Sequence, residues 1–237
     1  MSAGPIVAII LLLCVLAAAG GWLWLKQQQV IQREAFQALA ARRGWSLTIS
    51  EQKLGRPTIL RLTARAGTGW HSESRLDVGN EHGQPGYLTT EFVAQDPHWP
   101  EGCLVLTPAV TPAGPLAVTL PGPGPTPPGP LPQGRSNLSL QMRVALAVPS
   151  GIAAQLRGFP APPGLTVQAT IDPVHRFDLD ALAKVIAAWQ PQQHSSDGQP
   201  VILISPDGFR VRLSHGMPRA DQMEHFIDFA LELIRVI

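Results

Sequence analysis

Val201-Ile-Leu-Ile-Ser205-Pro-Asp-Gly208-Phe-Arg-Val-Arg-Leu-Ser-His215 reads as a β-hairpin. Two apolar or alternating runs flank Pro206-Asp207-Gly208, a tripeptide that turns the chain. In the second run Phe209, Val211 and Leu213 point one way, and Arg210, Arg212 and Ser214 the other. That period of two is the signature of a half-buried strand. Just upstream, Asp178 is placed to cap a helix whose Leu179, Leu182, Val185, Ile186 and Trp189 form a stripe ending before Pro191. Downstream, Asp221 opens a helix striped by Met223, Phe226, Ile227, Ala230, Leu231 and Ile234. The order helix, strand, strand, helix predicts two helices lying on one face of a sheet.

The middle of the chain is strand-rich. Trp45–Ser50 is short and β-prone. Thr58–Ala66 alternates, with Leu60, Leu62 and Ala64 on one face and Ile59, Arg61, Thr63 and Arg65 on the other. Tyr87–Ala94 and Cys103–Leu106 continue the pattern, and the charged, glycine-containing segments between them read as turns. Residues 108–134 form a proline-rich loop, because proline removes amide donors and fixes φ. Its P-x-x-P matches fit an aromatic groove on a partner, but any proline-dense linker generates them by chance, and the linker reading is preferred. Alternation resumes over Asn137–Ala147. Ser150–Arg157 reads as a short helix stopped by Gly158 and Pro160.

At the other end, Pro5–Leu25 contains no charged side chain. A helix over that run is long enough for a hydrocarbon layer of about 30 Å. Trp22 and Trp24 sit where amphipathic rings prefer the headgroup level, and Lys26 ends the run, so these three mark a membrane interface. A cleaved signal peptide would want a basic segment before the apolar core, and residues 1–4 have none. Lipid attachment at Cys14 would want a small residue before it, where Leu13 stands. An uncleaved anchor is the remaining reading. Lys26, Arg33, Arg42 and Arg43 all follow the run, which predicts the N-terminus outside and the body in the cytoplasm. A periplasmic body is the alternative. Gln27–Arg43 reads as a helix ended by Gly44 and continuous with the anchor. The expected organisation is a short tail at 1–4, a transmembrane helix at 5–25, a juxtamembrane helical stalk at 26–44 and one soluble α+β domain at 45–237.

Bulk properties narrow the partners. The formal net charge is +1, so no strong field selects nucleic acid. There are two cysteines and one lies in the apolar run, so no disulfide framework is expected. The wealth of arginine, alanine, glycine and proline suggests a bacterial source. The chain resembles uncharacterised bacterial single-pass membrane-anchored proteins. The likeness rests on the short N-terminal anchor, Phe36-Gln-Ala-Leu-Ala-Ala-Arg-Arg-Gly-Trp45, Pro97-His-Trp-Pro100 and the closing helix–strand–strand–helix unit. That resemblance implies no activity, cofactor or site residue.

Chemistry-bearing motifs are sparse. None of the seven histidines forms H-E-x-x-H, and no C-x-x-C occurs. His71, His82 and His98, with Glu91 and Asp96, would make a metal site only if the fold gathered them. Ser72 and Ser74 lack the G-x-S-x-G setting of a hydrolase nucleophile. Cys103 lies in an apolar, strand-like run where thiols are usually inert. Arg61 with Arg65, and Arg210 with Arg212, are candidate basic patches, either solvated or facing anionic headgroups. Pro97-His98-Trp99-Pro100 holds an imidazole and an indole in a constrained turn, which suits either a contact anchor or, preferably, a core plug. The candidate interaction residues are therefore His98, Trp99, Arg210 and Arg212. No catalytic, metal or cofactor residue is assigned. The expectation is a non-enzymatic, membrane-tethered interaction or accessory subunit, with the bilayer and a membrane protein as partners. The alternatives are a lipid or small-ligand binder and a metal-dependent hydrolase.

Overall fold

The computed structural model describes residues 4–50, 58–64, 69–76, 89–109, 148, 150–189, 198–217 and 219–237. The fold is α+β: a large antiparallel sheet with helices. Helix α1, Gly4–Arg43, is unbroken over 40 residues. It ends at Gly44, whose φ of +67° suits glycine and lets the chain reverse. Strands β1 (Trp45–Ser50), β2 (Thr58–Ala64), β3 (Trp70–Leu76) and β4 (Thr89–Ala94) then form an antiparallel meander. β5 (Leu104–Pro108), the single turn α2 (Ser150–Ala153), β6 (Arg157–Phe159) and β7 (Leu165–Ala169) follow. Helix α3 (Leu179–Ala188), the hairpin β8 (Val201–Ser205) and β9 (Gly208–Leu213), and helix α4 (Ala220–Val236) complete the order.

All nine described strands join one sheet in the order β1-β2-β3-β4-β9-β8-β5-β7-β6. The hairpin expected from Pro206-Asp207-Gly208 therefore lies inside the sheet, between β4 and β5. Every residue of β8 is buried. A strand covered on both faces needs apolar side chains at consecutive positions, and Val201-Ile-Leu-Ile204 supplies them.

One face of the sheet carries the main core. Leu60 and Leu62, Phe92, Phe209 and Val211, Ile202 and Ile204, and Leu104 and Leu106 point into it. The stripes of α3 and α4 and the last turns of α1, through Phe36, Leu39 and Ala40, cover it. Asp178 Oδ1 accepts from Ala181 N at 2.9 Å and caps α3. Three arginine contacts fasten α1 to α4: Arg42 to Glu224 at 2.5 Å, and Arg43 to Glu224 at 2.6 Å and to Asp228. On the opposite face Cys103, Val105, Val201 and Leu203 form a smaller apolar cluster with Val148, Ile152, Ala153 and Leu156.

Several expectations change. Among the described residues no helix is long and apolar enough to cross a membrane, so the span expected at 5–25 has no support from the fold. The backbone there is helical, but within that run side chains are described only at Leu13, Leu16 and residues 19–24. Trp70–Leu76, read as a turn, is an inner strand. Trp70 points into the core, but the next inward positions are Ser72 and Ser74, both fully buried, which hides the apolar alternation. Their hydroxyls are satisfied: Met217 N donates to Ser74 Oγ at 2.9 Å, and Ser72 Oγ donates to Glu91 O at 3.3 Å. Pro108, read as loop, ends β5 in register with Leu165. The β8 pairing stops at Leu106, so its missing amide leaves no ladder bond unmade. Arg157 and Gly158, read as the end of a helix, belong to β6. The strand expected at 137–147, the loop from residue 110 onward, Arg65 and His82 lie outside the described residues.

Gly208 has φ +110°, and a Cβ there would collide with the backbone carbonyl oxygens of Ala94 and Gln95. Gly208→Ala should destabilise the domain by about 2–4 kcal/mol. A lowered urea midpoint with unchanged slope checks this.

Candidate functional site

Away from the helices, β2, β3, β4 and β9 present a charged face. Strand register decides its order. Arg61 lies opposite Glu73, Glu73 opposite Glu91, and Glu91 opposite Arg212. Directly paired residues share a face, so these four make one row across four strands. Arg75 stands two residues from Glu73 on β3, and Arg210 two residues from Arg212 on β9; both share the face by the same alternation.

Glu73 is the most constrained member, only 8% exposed. Arg61 Nη2 donates to its Oε2 at 2.7 Å, and Arg75 Nε to its Oε1 at 2.9 Å. Burial alone would push this carboxyl up. The hydrogen bonds from Arg61 and Arg75, with the charges behind them, outweigh it and hold Glu73 below the usual range. His71 lies half-buried beside them. Burial first, then Arg61, pulls its imidazole below the ordinary value.

The other end of the row is looser. Arg210 Nη1 stands 3.9 Å from Glu91 Oε1, an ion pair too long for a hydrogen bond. Arg210 Nε is buried and meets no acceptor among the described residues.

The candidate residues thus fall into different places. Arg210 and Arg212 do share one face, but a carboxylate sits beside them. Arg61 is tied to Glu73 and is not a free cation. Trp99 is 1% exposed and packs edge-on against Phe177 at 5.4 Å, so it fills the core and offers no ring to a partner. Its amide donates to Ser205 O at 3.1 Å and fastens the turn to the hairpin. His98 remains exposed, with Nδ1 3.1 Å from Asp96 Oδ1. Trp22, Trp24 and Lys26 are exposed on α1, and Lys26 Nζ lies 4.3 Å from the Trp22 ring centroid.

Among the described residues no three His, Cys, Asp or Glu side chains come together to hold a metal. Ser72 and Ser74 are sealed in the core. Cys103 is buried, and burial pushes its thiol up to about 11. The Glu73 clamp was the feature sequence reasoning missed. Its signal was present in the alternation His71, Glu73, Arg75. No protein-family model, curated relative or solved structure matches the chain.

Because the folded Glu73 carboxyl titrates below its unfolded value, its contribution is complete above the unfolded range and fades as pH falls through the folded one. Glu73→Gln should therefore cost about 1 kcal/mol at pH 7, discounted for the exposed arginine partners. The gap between variant and parent should close in denaturation curves taken toward pH 3.

Proposed function

We propose that this chain is a non-enzymatic, membrane-tethered interaction module, an accessory or assembly subunit of a membrane complex. The observation that carries this reading is the placement of exposed apolar side chains. Leu13, Leu16, Trp22, Leu23, Trp24, Val30 and Ile31 are all more than half exposed or at that level, and all lie on α1. Apolar surface in that quantity on one projecting helix is costly in water and favourable in lipid. The same helix enters the protein core at Phe36, Leu39 and Ala40, so a tether and a head belong to one rigid element.

The uncharged run at 5–25 would be the anchor, with Trp22, Trp24 and Lys26 at its interfacial end. Lys26, Arg33, Arg42 and Arg43 favour a cytoplasmic head and an outer N-terminus in an inner (plasma) membrane. The charged sheet face would then be the working surface. Among the described residues a buried thiol, two sealed serines and histidines that gather no metal-binding group give a catalytic reading no comparable support.

Carbonate washing of membranes tests the tether. The full chain should stay in the pellet, and Leu16→Arg, at about 3 kcal/mol against insertion, should shift most of it to the supernatant. Release of the parent protein by carbonate would refute the tether. Reporter fusions at the C-terminus should read cytoplasmic.

A further inference from the structure

We infer that the face built by β2, β3, β4 and β9 docks a protein surface of complementary charge order, with carboxylates opposite the Arg61–Arg75 pair and the Arg210–Arg212 pair. This deepens the tethered-module reading and rests on it. Four arginines share the face with two glutamates among the described residues, so it carries a cationic surplus. One glutamate is already consumed: both oxygens of Glu73 are held by Arg61 and Arg75. Those two guanidinium groups are about half exposed, at 48% and 55%, and each has donors left over. At the other end, the Arg210 Nε donor is buried without an acceptor among the described residues, and its Nη1 lies beyond hydrogen-bond reach of Glu91. An unsatisfied donor of this kind costs free energy, which a shift of the Arg210 side chain onto an incoming carboxylate would recover.

The spacing favours an extended partner over a small anion. With inter-strand steps of about 4.8 Å, Arg61 on β2 stands three steps, roughly 14 Å, from β9, and Arg75 on β3 stands two steps, roughly 10 Å. One phosphate cannot bridge those distances, whereas a run of acidic side chains on a protein can. A lipid surface is also disfavoured. A uniformly anionic surface would also meet Glu91, which stands in the row between the two basic pairs. A protein surface can match that order by placing a neutral or basic group opposite Glu91 and carboxylates on either side of it.

The test uses the full chain in nanodiscs of neutral lipid and a fluorescent ten-residue oligo-glutamate peptide as probe. The parent should bind, and Arg210→Glu with Arg212→Glu should weaken binding by about tenfold. Glu91→Gln removes the remaining acid between the pairs and should tighten binding by about threefold, a gain that misfolding cannot produce. Arg235→Glu, at the far end of α4, should leave binding unchanged. Peptide addition should slow amide exchange in β9, which decides the matter if the double variant fails to fold. Absence of peptide binding, equal binding by the double variant, or weaker binding by Glu91→Gln would overturn the proposal. So would full displacement of the peptide by equimolar inorganic phosphate, or loss in the double variant of binding to phosphatidylglycerol vesicles with peptide binding intact. Release of the protein by carbonate with peptide binding intact would sink the tether and leave the charge-matched face standing.

Discussion

The pairing of β9 with β4 on one side and of β8 with β5 on the other holds the sheet together. The meander β1–β4 and the group β5, β7 and β6 do not touch through ladder bonds of their own in the described sheet. They meet through the C-terminal hairpin. Gly208 closes that hairpin against the carbonyls of Ala94 and Gln95, and Trp99 N bonds to Ser205 O beside it. Two segments far apart in sequence are therefore referenced to one turn. The same insertion places Arg210 and Arg212 next to Glu91, so the charged face exists only because the hairpin sits where it does.

The two faces of the sheet follow different rules. The helix side is apolar except at Ser72 and Ser74 of β3 and Thr90 of β4. Small side chains there leave room for Met223 of α4, whose sulfur lies 3.5 Å from Ser72 Oγ. Ser74 gathers Thr90 and the Met217 amide, and Thr90 in turn donates to the His215 carbonyl. That network satisfies the buried hydroxyls and fixes where α4 begins. The opposite face is split between an apolar patch over β5 and β8 and a charged one over β2, β3, β4 and β9.

Local chemistry was legible wherever it was self-contained. Pro206-Asp207-Gly208 turns the chain by its own backbone preferences, and Leu60, Leu62 and Ala64 show their face without help from neighbours. The stripes of α3 and α4 follow the helical period. What failed to read depends on partners. β3 looks like a turn because its inward residues after Trp70 are serines, whose burial is acceptable only with hydrogen-bond partners from β4 and the segment before α4. β7 alternates cleanly at Leu165, Val167 and Ala169, yet Pro160, Pro162 and Pro163 before it and Pro173 after it give the region the look of a loop. At the candidate site, alternation placed Arg210 beside Arg212 on one face. It did not reveal Glu91 as their neighbour, since strand order lies beyond any local pattern.

Placing the hairpin at the centre of the sheet has a cost during synthesis. Roughly ninety residues separate β5 from β8, so at about 5–20 residues per second the ribosome needs some 5–20 s to deliver the missing strands. Through that interval β4 and β5 each expose an unpaired edge bearing Phe92 or Leu106, and such edges invite contact with other nascent chains. The first helix has by then long left the exit tunnel. If it is already held by lipid, neighbouring heads are spaced apart laterally, and the half-made sheet waits for its own C-terminus in relative isolation.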